Sequence, residues 1–288
     1  MADSALGEYA LGEGGARLVM KKRRNRALVV GINDYPGVNS DLSGCVNDAN
    51  DWAELLVSRD FAVNILLDGN ATKAHIVEMM QDIVARTGYG ETGLIQYSGH
   101  GTWIPDLDGD EPDRRDEALC PHDIADGKLI TDDEIAEVFS AKRHGARIVL
   151  ISDSCHSGSV QRLIGPIGAS RDKVRFLAPG AFLDGRDLQR AARALPTLRS
   201  RSRAKVRANV SVLLSGCQDW EYSYDAWFGQ RANGAFSYVS LMAWRAVAPG
   251  ASYQEWMDRI RTTLPSQDYP QTPQLSGRRY MRRWKALA

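Results

Sequence analysis

The sequence predicts an α/β protein built on a mainly parallel sheet with helices on both faces. Three observations lead there. Short apolar runs bounded by polar residues alternate along the chain with segments whose apolar positions repeat at helical spacing. The longest apolar run, counting glycine, is six residues (ALVVGI), suited to a strand buried on both faces and far short of a bilayer span. The chain has 288 residues, 43% of them hydrophobic, enough for one sizeable core.

Ala27 to Ile32 (ALVVGI) reads as the first buried strand. Val46 to Ser58 follows as a helix, with Val46, Ala49, Trp52, Ala53 and Leu56 on one face. Ala62 to Leu67 is a second strand. Thr72 to Arg86 is a helix, with Thr72 as a candidate N-cap. Gly93 to Tyr97 is a third strand. Thr131 to Lys142 is a helix opening on Thr-Asp-Asp-Glu, a capping-box pattern. Arg147 to Ser152 and Val210 to Leu214 are the fourth and fifth strands, and Ala235 to Ala248 and Tyr253 to Leu264 are helical. Residues 1–25, rich in Gly, Ala and acid and closing on KKRRN, are expected to form a flexible tail before one domain over 26–288. That domain divides into 26–158, a basic linker over 159–209, and 210–288.

Composition removes several function classes. The formal charge is zero, so nucleic acid and acidic membrane surfaces are not expected partners. The N-terminus lacks a signal-peptide pattern, which makes the cytoplasm the expected location. Cys45, Cys120, Cys155 and Cys217 are widely spaced without a C-x-x-C, so free thiols are expected rather than a zinc or redox pair.

Sheets of this type place their sites beyond the carboxyl ends of the strands. The third strand ends in QYSGHG and delivers His100; the fourth ends in SDSCHSG and delivers Cys155. If the two strands are neighbours, an imidazole faces a thiol. A nucleophilic cysteine needs that, because the thiolate is the reactive form and the imidazole can draw off its proton. The glycines beside His100 allow close approach of substrate backbone, and the amides of Gly101 and Cys155 are candidate donors to an oxyanion. His156 is the rival base, but it adjoins Cys155, and neighbouring side chains in an extended segment point apart. His75 and His144 lie in a helix and near a helix end, away from that edge, and His122 sits in the acidic segment. No third residue is evident to orient His100.

Three more residues characterise the surroundings of the thiol. Asp153 stands two before Cys155, Ser98 two before His100, and Asp48 just beyond the first strand. Two carboxylates and a hydroxyl suit a guanidinium or ammonium better than an acidic side chain.

The motifs together resemble the caspase–hemoglobinase clan, and most closely the metacaspases with their bacterial orthocaspase relatives. YSGHG and DSCHSG are joined in order by VGINDYP, LSGCVNDA, DGDEPDRRDEALCPHD, SGCQDWEYSYD, GAFSYVS and PQLSG, covering about residues 26–277. The resemblance implies a caspase-like, mainly parallel six-stranded sheet and a cysteine endopeptidase with His100 as base and Cys155 as nucleophile. It implies cleavage after Arg or Lys in a protein or peptide substrate, with Cys45, Asp48, Ser98 and Asp153 lining the pocket. It also implies calcium as a possible activator, not a requirement of the chemistry, at Asp116, Asp132 and Asp133. The family's fourth calcium ligand falls seven residues after the nucleophile, where this chain has Arg162, a cation that would weaken or replace the ion.

Two segments break the alternation. Pro105 to Asp133 carries eleven carboxylates against three basic side chains, and its DLDGDEPDRRDE is not an EF-hand, since glycine falls fourth. Ser159 to Asn209 carries twelve Arg and Lys against three Asp. Stretches of that length without regular structure are usually functional or disordered. RDLQRAARALPTLRSRSRAKVR, Arg186 to Arg207, offers sites for autocleavage, an arginine that could fold into the Asp48/Asp153 pocket as a tethered inhibitor, or a solvated helix. The rival readings are a caspase-like protease of other specificity and a catalytically silent interaction or signalling module. Oligomeric state is not indicated.

Overall fold

A computed structural model describes residues 25–105, 115–156, 172–183 and 211–288. In chain order its elements are β1 (Arg26–Gly31), α1 (Cys45–Ser58), β2 (Ala62–Leu67), α2 (Lys73–Arg86), β3 (Thr92–Ser98), β4 (Gly101–Pro105), β5 (Arg115–Leu119), β6 (Ile130–Thr131), α3 (Asp132–Ser140), β7 (Arg147–Asp153), β8 (Lys173–Val174), β9 (Ser211–Ser215), β10 (Tyr224–Phe228), β11 (Arg231–Gly234), α4 (Ala235–Ala246), α5 (Tyr253–Ile260), β12 (Gln274–Ser276) and α6 (Arg279–Arg282).

Six strands form the central sheet in the order β12-β9-β7-β3-β1-β2. All neighbours are parallel except β12, which runs antiparallel to β9 at the edge. This is the α/β caspase-like sheet expected, with each predicted strand in it. β1, β3 and β7 are buried along nearly their whole length, which is why they read as continuous apolar runs. Alternate residues of these strands face two cores. Val29, Leu94, Val149 and Val212 pack against Trp52 of α1, Phe236 of α4 and Trp256 of α5. Leu28, Ile95 and Ile148 pack against Ile76 and Met80 of α2 and Phe139 of α3.

Local chemistry accounts for the helix ends. Thr72 accepts the His75 amide at 3.4 Å, and Thr131 with Glu134 forms the expected capping box. The start of α1 has no side-chain cap of its own; Asn33 Oδ1 accepts the Cys45 amide at 2.8 Å from across the chain. No helix of the described residues is long and apolar enough to cross a membrane.

The two segments without a legible period hold short antiparallel strands. The acidic segment contributes to a sheet β4-β5-β6, and the basic linker contributes β8 to a sheet β11-β10-β8. The reading of these stretches as structureless is corrected there. The predicted tail up to Arg24, residues 106–114, Arg162 and the arginine-rich stretch 186–207 lie outside the described residues.

Candidate active site

β3 and β7 are adjacent, and their register pairs Ser98 with Asp153. His100 and Cys155 therefore leave the same sheet edge at matching positions, two residues beyond that pair. Both are buried. Tyr35 and Tyr97 hold the turn that carries the imidazole. The Tyr35 hydroxyl accepts the His100 amide at 2.8 Å, and its ring lies 4.7 Å from the imidazole. The Tyr97 hydroxyl lies 2.8 Å from the His100 carbonyl and 2.7 Å from that of Cys120.

Sequence reasoning found nothing to orient His100; the structure supplies the Ser40 carbonyl, 2.6 Å from Nε2. A carbonyl only accepts, so Nε2 carries the proton and Nδ1 keeps its lone pair. Nδ1 is buried without a hydrogen-bond partner among the described residues. Burial lowers the His100 pKa to about 4, against the pull of the Ser40 carbonyl, so the ring is neutral at pH 7. His156 turns the other way, with Nδ1 3.1 Å from the Ala118 carbonyl of β5. Gly101 lies so close to the Cys155 carbonyl that a Cβ would collide with it. The Cys155 thiol donates to the Ser223 carbonyl at 3.7 Å, and all four cysteines are free thiols.

The cleft is filled by the chain's own linker. β8 pairs antiparallel with β10, matching Val174 with Tyr224 and Lys173 with Asp225. The next residue, Arg175, donates its amide to the Ser223 carbonyl at 2.9 Å. Its carbonyl accepts the Gly101 amide at 2.9 Å and the Cys155 amide at 3.3 Å. The Leu177 amide then bonds the Gly101 carbonyl at 2.9 Å.

The Arg175 side chain is fully buried among three carboxylates. Nη2 lies 2.7 Å from Asp48 Oδ2 and 3.0 Å from Asp225 Oδ1, and Nη1 lies 3.2 Å from Asp153 Oδ2. Each acid is fixed from the far side. Asp48 accepts Asn233 Nδ2 at 2.8 Å and the Gly234 amide at 3.0 Å; Asp153 accepts the Ser223 hydroxyl and the Ser237 amide; Asp225 accepts the Ser43 and Gly44 amides. Gly234 forms a wall with no room for a side chain, since a Cβ would collide with Asp153 and Arg175. Burial, with Asp153 nearby, raises the Asp48 pKa to about 7 although Arg175 pulls it down. Burial also raises the Cys45 thiol well above its ordinary range.

Of the residues predicted to line this pocket, Asp48 and Asp153 touch the guanidinium. Cys45 is buried beside the charge cluster, and Ser98 Oγ receives Gln96 Nε2 at 2.8 Å and contacts Ser237. Asp225 was not singled out, although it closes the SGCQDWEYSYD motif. Asp116 lies on β5, and Asp132 and Asp133 in the first turn of α3, where acids also suit the helix dipole. Among the described residues no three His, Cys, Asp or Glu side chains form a group that could hold a metal. Position 162, where the resemblance puts the fourth ligand, lies outside the described residues.

The family model of the caspase domain of the C14 peptidases matches residues 24–283. Metacaspase-1A of Neurospora crassa is 31% identical over 88% of this chain and 63% of its own length, and Metacaspase-1A of Aspergillus fumigatus is 31% identical over 88% and 68%. The chain thus spans about two thirds of these relatives. The crystal structure of protein GSU0716 from Geobacter sulfurreducens matches with a TM-score of 0.70 and 28% identity, over 92% of this chain and 98% of that one. With the family model spanning nearly its whole length, this chain belongs to the caspase-domain family of C14 peptidases.

Proposed function

We propose that the protein is an Arg-directed cysteine endopeptidase whose first substrate is its own Arg175–Phe176 bond. The observation that carries the reading is Arg175 itself. Its guanidinium sits on Asp48, Asp153 and Asp225 while its carbonyl faces the Gly101 and Cys155 amides. A residue so held is posed as the one before a scissile bond.

In the proposed reaction His100 Nδ1 takes the Cys155 proton, and the thiolate attacks the Arg175 carbonyl carbon. The Gly101 and Cys155 amides hold the developing oxyanion. The imidazolium, steadied by the Ser40 carbonyl, passes its proton to the Phe176 nitrogen as the C–N bond breaks. Water, deprotonated by His100, hydrolyses the thioester and leaves the Arg175 carboxylate with a restored thiol. Departure of that new terminus opens the cleft to other chains. Both Nη atoms engage carboxylates, so Arg is favoured over Lys, whose single ammonium cannot span the three acids.

Purified wild-type protein is compared with Cys155→Ala by intact mass and N-terminal sequencing, then assayed on two peptides that differ only in Arg or Asp before the cut. The expected result is a new terminus at Phe176 in the wild type alone, and cleavage of the Arg peptide alone. An intact wild-type chain silent on both peptides would overturn the reading. Parallel assays with calcium and with a chelator test modulation by the ion, and equal rates remove it.

A further inference from the structure

Cleavage after Arg175 leaves open what else the cleft reads. The residues before Arg175 answer it, because they dock as a substrate strand would. Asp172 Oδ1 accepts the Trp227 amide of β10 at 3.1 Å. Lys173 extends along β10 and donates its ammonium to the Asp41 carbonyl at 2.5 Å. Val174 packs against the small cluster of Cys155, Cys217 and Tyr222, beside Tyr224. Each of three successive residues therefore meets a different chemistry: a backbone donor, a backbone acceptor and an apolar wall.

We propose that these contacts are specificity subsites, so that the peptidase prefers substrates with a β-branched apolar residue, then a basic residue, then a carboxamide at the second, third and fourth positions before the scissile bond. The proposal rests on the Arg-directed reading above. Strand pairing to β10 would hold any sequence, whereas the three side-chain contacts distinguish one from another. At the third position a carbonyl can only accept, so Lys or Arg is favoured and Glu meets an acceptor with an acceptor. The fourth position offers an N–H, which either Asp or Asn can satisfy. The neighbourhood separates them. Burial first, then the charges of Asp225 and Asp268, raise the Asp172 pKa although the Trp227 amide pulls it down, so a carboxylate is held there against like charge. Asn accepts the same N–H without that repulsion. The chain's own Asp172 is thus a weaker occupant than Asn, a property suited to a segment that must leave after it is cut.

The test uses the wild-type chain after its own cleavage, with fluorogenic Asn-Lys-Val-Arg, Asp-Lys-Val-Arg, Asn-Glu-Val-Arg and Asn-Lys-Gly-Arg peptides. Changing Lys to Glu is expected to lower kcat/KM about fivefold, as for one exposed charged hydrogen bond. Changing Val to Gly should lower it by a similar factor, and Asn should exceed Asp about threefold at pH 7.5. Equal kcat/KM on all four Arg peptides overturns the subsites and leaves the Arg reading standing. If no Arg peptide is cut, both readings fall together. An independent measurement in cis needs no added peptide: Lys173→Glu should slow the appearance of the Phe176 terminus about fivefold, and an unchanged rate counts against the third subsite.

Discussion

Asp48 is a carboxylate without solvent, set beside a second and a third. On the Arg-directed reading, that arrangement makes its protonation part of substrate binding. With a guanidinium in place its pKa is about 7, held there by burial against the guanidinium's downward pull, so loss of that charge alone would raise it. Between those two values an arriving Arg must expel a proton. Binding therefore strengthens as pH rises above 7, until the empty pocket is itself ionised, and below 7 Asp48 is protonated in both states. For an Arg peptide kcat/KM should climb through that window. Asp48→Asn should lower it about a hundredfold, the scale of losing one buried charge partner, and should flatten that limb. The flattening is the diagnostic part: if Asp48→Asn keeps the full limb, the proton belongs elsewhere.

β10 links the pocket to the fold through Asp225, which receives the Ser43 and Gly44 amides before α1 at 2.7 and 2.9 Å and also touches Arg175. The two duties can be separated. Asp225→Asn keeps an acceptor for one amide and should retain most of the melting temperature while slowing self-cleavage. Asp225→Ala leaves both amides without acceptors and should cost about 1–3 kcal/mol in chemical denaturation as well. Equal stability of the two variants would remove β10 as an anchor of α1. This element also marks where the sequence stops being legible. β1, β3 and β7 were readable because burial on both faces writes an apolar run, and α2 and α3 because their caps are local. β8, β10 and β11 are two to five residues long, and β12 three, too short for a periodicity. His100, Cys155 and Asp153 could be placed at one edge because each ends or closely follows a long strand, whereas Asp48 sits in the first turn of α1. Asp225 reaches the pocket from a distant hairpin, and Arg175 is one of twelve basic residues in its segment, selected by pairing with β10. The sequence raised a tethered arginine in connection with 186–207; the one seated lies upstream of that stretch.

On the scale of the molecule, a cut after Arg175 divides the chain but not the architecture. β7 precedes the cut and β9 follows it, yet they are parallel neighbours over five paired residues of the central sheet. Trp52 of the first fragment lies 5.8 Å from Trp256 of the second, and its indole bonds Ser237 at 3.2 Å. The pocket itself is shared: Asp48 and Asp153 belong to the first fragment, while Asn233, Gly234, Ser223, Ser237 and Asp225 belong to the second. Separation would expose a core face and strip the acids of the donors that hold them, both costly in water-accessible buried surface and unpaired charge. Cleaved protein should therefore run as one particle in native gel filtration and as two bands under denaturing conditions. Activity on Arg peptides should vanish with the fragments apart and return only when both are refolded together. Dissociation in native buffer, or an active first fragment alone, would mean that the pocket is not built across the cut.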